Sequence, residues 1–295
     1  MSAAPAAARP VQVRGTVLAN DPVGGYRHLT LAAPGVAQGA RPGHFVALAV
    51  GDDPSSMLLR RSFSIHRLGV DDTVQIVVAD AGPGTHWLTT RRPGDVVDVV
   101  GPVGRPFPLP DEPTSCTLVG GGYGSAPLFW LAEVLRERGC RVDIVLGAAT
   151  AGALFGVDQA QAVAESVTVT TDDGSLGTAG RVTDVLPEVL TRGGTGVVYA
   201  CGPMAMLRAV TDVATAHGAV AQVAVEESMA CGIGICMTCV MPVVGEDGVT
   251  RMVRSCVEGP VFRGDRVRWD SWQDGVGRVP DDAVGAPTPT TGVGR

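Results

Sequence analysis

Four cysteines carry the most specific chemistry in this chain. Cys231, Cys236 and Cys239 fall within the stretch "ACGIGICMTCV", and Cys256 follows at a distance. The spacing C-x4-C-x2-C with one distant cysteine is the plant-type pattern, in which four thiolates hold the two irons of a [2Fe-2S] cluster. Gly232 and Gly234 suit a loop that wraps closely around inorganic sulfide, because a Cβ would obstruct the approach of backbone N–H groups. Two other readings use the same residues. Structural zinc prefers two separated C-x2-C knuckles and has no need of the glycines, and free cysteines can simply be buried as small apolar residues.

A second constellation could receive phosphate. "RRSFSIHR" sets Arg60, Arg61, Ser62, Phe63 and Ser64 on one short strand, and "AGPGTHWL" sets Gly82, Gly84 and Thr85 at a strand-to-helix turn. Arginine offers a bidentate fork to phosphate, and backbone amides at a glycine-rich helix start offer aligned donors. An Arg pair flanking a strand is also, more plainly, a solvated edge. Further on, "LVGGGYGSAPL" follows a strand and opens a helix, as a nucleotide pyrophosphate loop does, although it is not a clean G-x-G-x-x-G. There Gly121, Gly122 and Gly124 would let the backbone approach phosphate, and Pro127 fits the first helical turn. An ordinary glycine turn would look similar. "YACGPMAML" puts Cys201, Gly202 and Pro203 at the C-terminal end of a strand, where open α/β sheets bind ligands; Cys201 could equally be a buried small residue.

The elements that must position these groups change character along the chain. From Val11 to Leu109 the sequence runs in short β-rich pieces between Gly, Pro and Asp turns, which predicts an antiparallel barrel over residues 11–112. Over 113–222 strands alternate with helices, the pattern of a parallel α/β sheet. Residues 223–270 carry the cysteine cluster. The Pro-, Gly-, Thr- and Ala-rich stretch 271–295 reads as a disordered tail.

Composition limits the partners. A chain of 295 residues that is 45% hydrophobic and 18% charged can bury the cores of two or three domains. The net charge of -7, with acids and arginines interspersed, leaves no basic stripe for nucleic acid or an anionic membrane surface. All 23 basic residues are arginine, which reads as coding bias. The longest apolar runs, such as Val142 to Leu146, fall far short of the roughly 20 residues that cross a bilayer. The opening "MSAAPAAARP" lacks an apolar signal-peptide core, so the expected location is the cytoplasm. Seven unevenly distributed cysteines point to ligands or catalytic thiols rather than a disulfide framework.

Taken in order, these motifs resemble the electron transfer subunits of NAD-dependent dihydroorotate dehydrogenases, within the ferredoxin reductase superfamily, from about residue 11 to 268. The family's R-P-x-S appears as Arg61-Ser62-Phe63-Ser64, its G-x-G-T turn as Gly82-Pro83-Gly84-Thr85 and its nucleotide loop as "GGGYGSAPL". "TDDGSLGTAG", "YACGPMAML", "EESMACGIGICMTCV" and "CVEGPVF" are similar to its characteristic stretches, the last two most specifically. The resemblance implies an FAD-binding β-barrel, an NAD-binding α/β domain and a small C-terminal [2Fe-2S] domain, forming an oxidoreductase subunit. It implies that Arg61 contacts the FAD pyrophosphate, Ser64 the flavin ring near N5, and Gly84 with Thr85 the phosphates, while Cys201 and Gly202 lie near the nicotinamide. The implied partner is an FMN-containing dihydroorotate dehydrogenase catalytic subunit in a heterotetramer, with dihydroorotate oxidised there and not on this chain. Ser62 stands where the family usually has proline, and Thr238 where glycine is common.

Two further readings stay open at this level: an NAD(P)H-dependent reductase serving a ferredoxin or oxygenase, and a non-enzymatic metal-binding regulator without flavin. Hydride transfer requires no general acid or base, so neither His66 nor His86 is assigned a catalytic role. The run from Val142 to Gly180 contains no arginine to receive an adenosine 2′-phosphate, which predicts NAD over NADP.

Overall fold

The computed structural model describes residues 9–52, 57–273 and 276–284. Its first sheet comprises β1 (Val11–Val23), β2 (Tyr26–Ala32), β3 (Phe45–Leu48), β4 (Arg61–Ser64), β5 (Arg67–Leu68), β6 (Thr73–Val78) and β7 (Val96–Val103), with helix α1 (Pro83–Thr89) between the last two. The strands are antiparallel in the order β4-β3-β7-β1-β2-β6-β5. The two end strands are chain neighbours. Ile65 N–H donates to His44 O beside β3, and the next residue, His66, donates to Gln75 O on β6. Within one residue the chain passes from one edge of the sheet to the other, so the sheet has to curl into a half-barrel. The pleat then turns alternate apolar residues inward, and Val17, Leu29, Leu31, Val46, Leu48, Ile76 and Val99 fill the interior.

The second sheet is built from β8 (Ser115–Gly121), β9 (Arg141–Ala148), β10 (Ser166–Thr171), β11 (Thr178–Ala179), β12 (Val197–Cys201) and β13 (Val220–Ala224), all parallel. Helices α2 (Ala126–Glu137) and α3 (Val157–Val163) pack on one face, and α4 (Val182–Gly193) and α5 (Met204–Ala216) on the other. Cover on both faces explains why β9 reads as a nearly continuous apolar run rather than an alternation. In α2 the spacing of Leu128, Leu131, Ala132 and Leu135 puts all four on the buried stripe. Helix α3 carries no sequence signal: "VDQAQAV" buries only Ala160, too little apolar periodicity to announce a helix.

The cysteine segment is less independent than the sequence suggested. The expected division at 222/223 falls inside β13, and β16 (Val261–Arg263) pairs antiparallel with β13 as the sheet's last strand. Between them β14 (Val240–Val244) and β15 (Thr250–Arg254) form a separate ribbon. Arg105 N–H donates to Gly259 O at 2.6 Å, which ties this segment to the barrel as well. The reading of 271–295 as a disordered tail is corrected for its first part: Arg268 pairs with Asp282 at 2.8 Å, Val284 N–H donates to Thr250 O at 2.9 Å, and Ala283 is buried. Local Pro and Gly content says nothing about these distant partners. Residues 285–295 lie outside the described residues. No helix among the described residues is long and apolar enough to cross a membrane.

Candidate functional site

The second sheet has the order β10-β9-β8-β12-β13, so chain direction across the sheet reverses between β8 and β12. Ligands of open α/β sheets bind beyond the carboxyl ends of strands at such a switch point. A cleft of about 830 Å3 opens there, between the nucleotide sheet and the barrel. Arg61, Ser62, Phe63 and Ser64 from β4, Thr85 from α1, Gly121, Gly122 and Gly124 from the end of β8 onward, and Cys201 with Gly202 at the end of β12 all line it. The remaining two predicted positions flank α1. Gly84 lies under Arg61, where an added Cβ would sit 2.7 Å from the guanidinium Nε, and Gly82 caps the helix. Thr85 secures that turn, its hydroxyl accepting from the Ala81 and Gly82 N–H groups at 2.9 and 3.0 Å.

At the base of the cleft the backbone packs against itself. A Cβ on Gly124 would lie 2.9 Å from Gly202 Cα, and one on Gly202 would lie 2.7 Å from the Met206 Cε methyl and 3.1 Å from Gly121 Cα. Only hydrogen at these positions lets the two strand ends converge, which explains the glycines independently of any phosphate. Cys201 lines the cleft. Burial, and secondarily Glu226, push it up to about 12, so it remains a neutral S–H.

The two adjacent arginines part company. Arg61 faces the cleft and donates to Leu59 O at 2.7 Å, whereas Arg60 reaches across the barrel to pair with Asp98 on β7 at 2.6 Å. Strand alternation separates them, and only tertiary context says which side is the cleft. His66 is buried against Ala126 O at 2.6 Å and held near 4, chiefly by burial; His86 is exposed and paired with Asp80 at 2.8 Å. Neither lines the cleft.

Several cleft residues gave no sequence signal. The rings of Tyr26 and Tyr123 meet at a tilt with centroids 5.5 Å apart and line it, and Asp172 and Arg181 stand at its far end beyond β10. Arg181 amends the specificity argument: the arginine-free run ends one residue too early to leave this end of the cleft without a cation. Glu226, Glu227 and Met229 form one wall. They immediately precede the cysteine loop, and that adjacency was the available clue.

Met229 also packs with Phe45, Val103, Cys239 and Cys256, so the cleft wall and the cysteine site are contiguous. The thiols stand as two neighbouring pairs. The Ile235 and Cys236 N–H groups donate to Cys231 Sγ at 3.4 and 3.5 Å, and Cys256 adjoins Cys239. Among the described residues no group of three or more His, Cys, Asp or Glu side chains converges on one metal position. Gly232 and Gly234 adopt φ of 71° and 84°, and a Cβ on Gly234 would strike the Val257 side chain at 2.4 Å. Thr238, in the place of a family glycine, acts on Cys236: its hydroxyl, with backbone N–H donors, pulls that thiol down to about 6, while burial pushes Cys256 up to about 12. Four thiols in two adjacent pairs, with backbone N–H groups turned towards sulfur, fit an iron–sulfur cluster, whose assembly requires all four as thiolates.

Comparison with known proteins agrees with this geometry. The chain is 31% identical, with a TM-score of 0.76, to a chain in the structure of an NADH-dependent reduced ferredoxin–NADP oxidoreductase studied for flavin-based electron bifurcation, covering 88% of this chain and 91% of that one. A ferredoxin reductase of carbazole 1,9a-dioxygenase shares the fold at 22% identity and a TM-score of 0.60, over 71% and 67% of the two chains. Barrel, switch-point cleft and cysteine loop thus define a flavin- and nicotinamide-dependent oxidoreductase of the ferredoxin reductase type with an iron–sulfur domain.

Residues 226–268 match the iron–sulfur cluster binding domain of dihydroorotate dehydrogenase B. Over 244 residues the chain is 42% identical to the electron transfer subunit of dihydroorotate dehydrogenase B (NAD(+)) from Geobacillus thermodenitrificans, covering 81% of this chain and 91% of that one. The counterpart from Listeria monocytogenes is 38% identical, over 78% and 88%. The chain belongs to this family of electron transfer subunits. It works with FAD, an iron–sulfur cluster and NAD.

Proposed function

We propose that this chain passes electrons between NAD and the FMN of a dihydroorotate dehydrogenase catalytic subunit, in a cytoplasmic heterotetramer of two subunits of each kind. The observation that carries the reading is the shared wall: residues 224–229 leave the nucleotide sheet, line the cleft and end against the cysteines, so one short segment joins a two-electron site to a one-electron site. When bound, FAD supplies the conversion between hydride and single-electron chemistry. The residues of the chain do the rest. Arg61 would hold the FAD pyrophosphate as a guanidinium fork, with the Gly82–Thr85 turn as its backbone partner; Ser62 and Phe63 would shape the bed and Ser64 would receive the flavin ring. Gly121, Gly122 and Gly124 give the NAD phosphates close access to the backbone, and Gly202 leaves room for the nicotinamide. Cys201 would present a neutral S–H on that side of the cleft. Cys231, Cys236, Cys239 and Cys256 hold the cluster, and two pairs of thiols suit two irons better than one tetrahedral zinc.

The test is to purify the tagged chain from its own cells and assay the eluate anaerobically for dihydroorotate-dependent NAD reduction. Activity with a co-purified FMN protein is expected. Its absence, with NADH-driven dye reduction retained, would move the chain to a second reading, a reductase for a ferredoxin, which its similarity to the ferredoxin–NADP oxidoreductase chain favours.

The far end of the cleft supports NAD over NADP on a different ground from the missing arginine. Asp172, like Arg181, lines that end. A carboxylate accepts from a ribose 2′-hydroxyl and repels a 2′-phosphate. Steady-state kinetics should give a kcat/KM for NADH at least about tenfold above that for NADPH, and Asp172→Ala should narrow the ratio by about tenfold, the scale of one lost charge-assisted hydrogen bond. Comparable efficiencies in the wild-type chain would remove the argument.

A further inference from the structure

The barrel closes at Ile65 and His66, and at the same point it meets the nucleotide domain. His66 is buried, and its Nδ1 lies 2.6 Å from the carbonyl oxygen of Ala126, the first residue of α2. A carbonyl only accepts, so Nδ1 carries the proton and donates. Burial keeps the ring neutral. Three further rings meet it edge to face, those of His28, Phe155 and Phe129, with centroids 5.4, 5.6 and 6.0 Å away. The next residue, Arg67, pairs with Glu133, about two turns further along the same helix. Helix α2 is thus fastened at two points to the segment that leaves β4.

The buried bond joins the two sides of the cleft by a short path. On the barrel side Ser64, two residues before His66, lines the cleft. On the other side Gly124, two residues before Ala126, lines it and packs on Gly202, whose Cα would lie 2.9 Å from an added Cβ. Between Gly124 and Ala126 the Ser125 hydroxyl reaches Gly122 O at 2.9 Å and Phe155 O at 3.1 Å, which makes the glycine loop and the start of α2 one body. In a close-packed interior such a body shifts as a whole when its anchor is lost. Hydride transfer is sensitive to that shift, because reacting atoms must stand about 3 to 3.5 Å apart and a displacement of about 1 Å from a remote change can cost about a hundredfold.

We propose that His66 is a positioning residue for hydride transfer: its Nδ1–H, held on Ala126 O, fixes the glycine loop against β4 and so sets the spacing of nicotinamide and flavin. The inference rests on reading the cleft as the site of both.

The test uses the full chain loaded with FAD and cluster, mixed anaerobically with NADH in a stopped-flow instrument. His66→Leu keeps an apolar body between Phe129 and Phe155 and removes the donor. Its rate constant for flavin reduction should fall about tenfold, with the NADH dissociation constant within about twofold, the split expected when alignment is lost and binding is not. His66→Asn returns an amide N–H to the place of Nδ1 and should bring the rate to within about threefold of wild type. His66→Gln sets its amide further out, where Nε2 stands, and should be as slow as His66→Leu. The Asn and Gln pair decides the question even if His66→Leu does not fold. Apart from any activity, amide hydrogen exchange of residues 122–130 should quicken in the Leu and Gln variants and stay as in wild type in the Asn variant. Unchanged reduction rates, an Asn variant no faster than the Gln variant, a loss carried by NADH binding, or unaltered exchange at 122–130 would each overturn the proposal. A wild-type flavin that NADH does not reduce would remove the reading of the cleft and the proposal with it, whereas a reducible wild type with unaffected variants would remove the proposal alone.

Discussion

Cys236→Ser is expected to abolish the iron–sulfur signal and to cut electron delivery to the dehydrogenase partner by about a hundredfold or more, while leaving FAD bound and NADH-to-dye activity within about twofold of wild type. Serine is a poor ligand for a soft thiophilic metal site, and three thiols cannot complete a set of four. Cys236 is the exposed member of the four, on a loop that contributes no residue to the flavin side of the cleft, so its loss should stop at the cluster. Iron and sulfide analysis, electron paramagnetic resonance of the dithionite-reduced protein, and the dye assay together check this. Retention of the full cluster spectrum would sink the ligand assignment. Loss of flavin along with the cluster would show that the cluster also braces the junction at which Cys239 and Cys256 pack against the barrel residues Phe45 and Val103.

The second large effect is expected at Arg61. Removal of a guanidinium fork from a pyrophosphate costs about 3 kcal/mol, so Arg61→Ala should weaken FAD binding by about a hundredfold and yield largely colourless protein after gel filtration. Arg60→Ala makes the contrast, since Arg60 spends its charge on Asp98. Its loss should lower stability by on the order of 1 kcal/mol, as for a partly exposed ion pair, and leave the flavin in place. On the proposed reading, two neighbouring arginines with identical local signals divide into a ligand and a brace. Fluorescence titration of FAD and thermal unfolding separate them, and an Arg61→Ala protein that holds FAD as tightly as wild type would overturn the flavin role.

Much of this was legible in one dimension because it is encoded locally. Period-2 alternation marks β1 and β2, the helical spacing of Leu128, Leu131 and Leu135 marks α2, and C-x4-C-x2-C depends on a loop short enough for sequence distance to stand for spatial distance. Where a signal was weak or non-local, the sequence was silent or misleading. Helix α3 lacks an apolar stripe, Arg181 lies one residue beyond an argument built on a gap, and the described residues after Arg268 owe their order to Thr250 and Gly264, neither of which a Pro- and Gly-rich composition reveals.

By itself, then, the amino-acid sequence determined the kinds of element, their succession and the chemistry of the four thiols, since each of these is written within a few neighbouring residues. The tertiary structure alone decided that β8 and β12, 76 positions apart at Gly121 and 197, lie side by side and that β4 of the barrel faces their ends. Strand order in a parallel sheet is fixed by which apolar faces are buried together, a property of the whole packed chain. That packing brings Arg61, Gly124 and Gly202 to one cleft and turns Arg60 away from it.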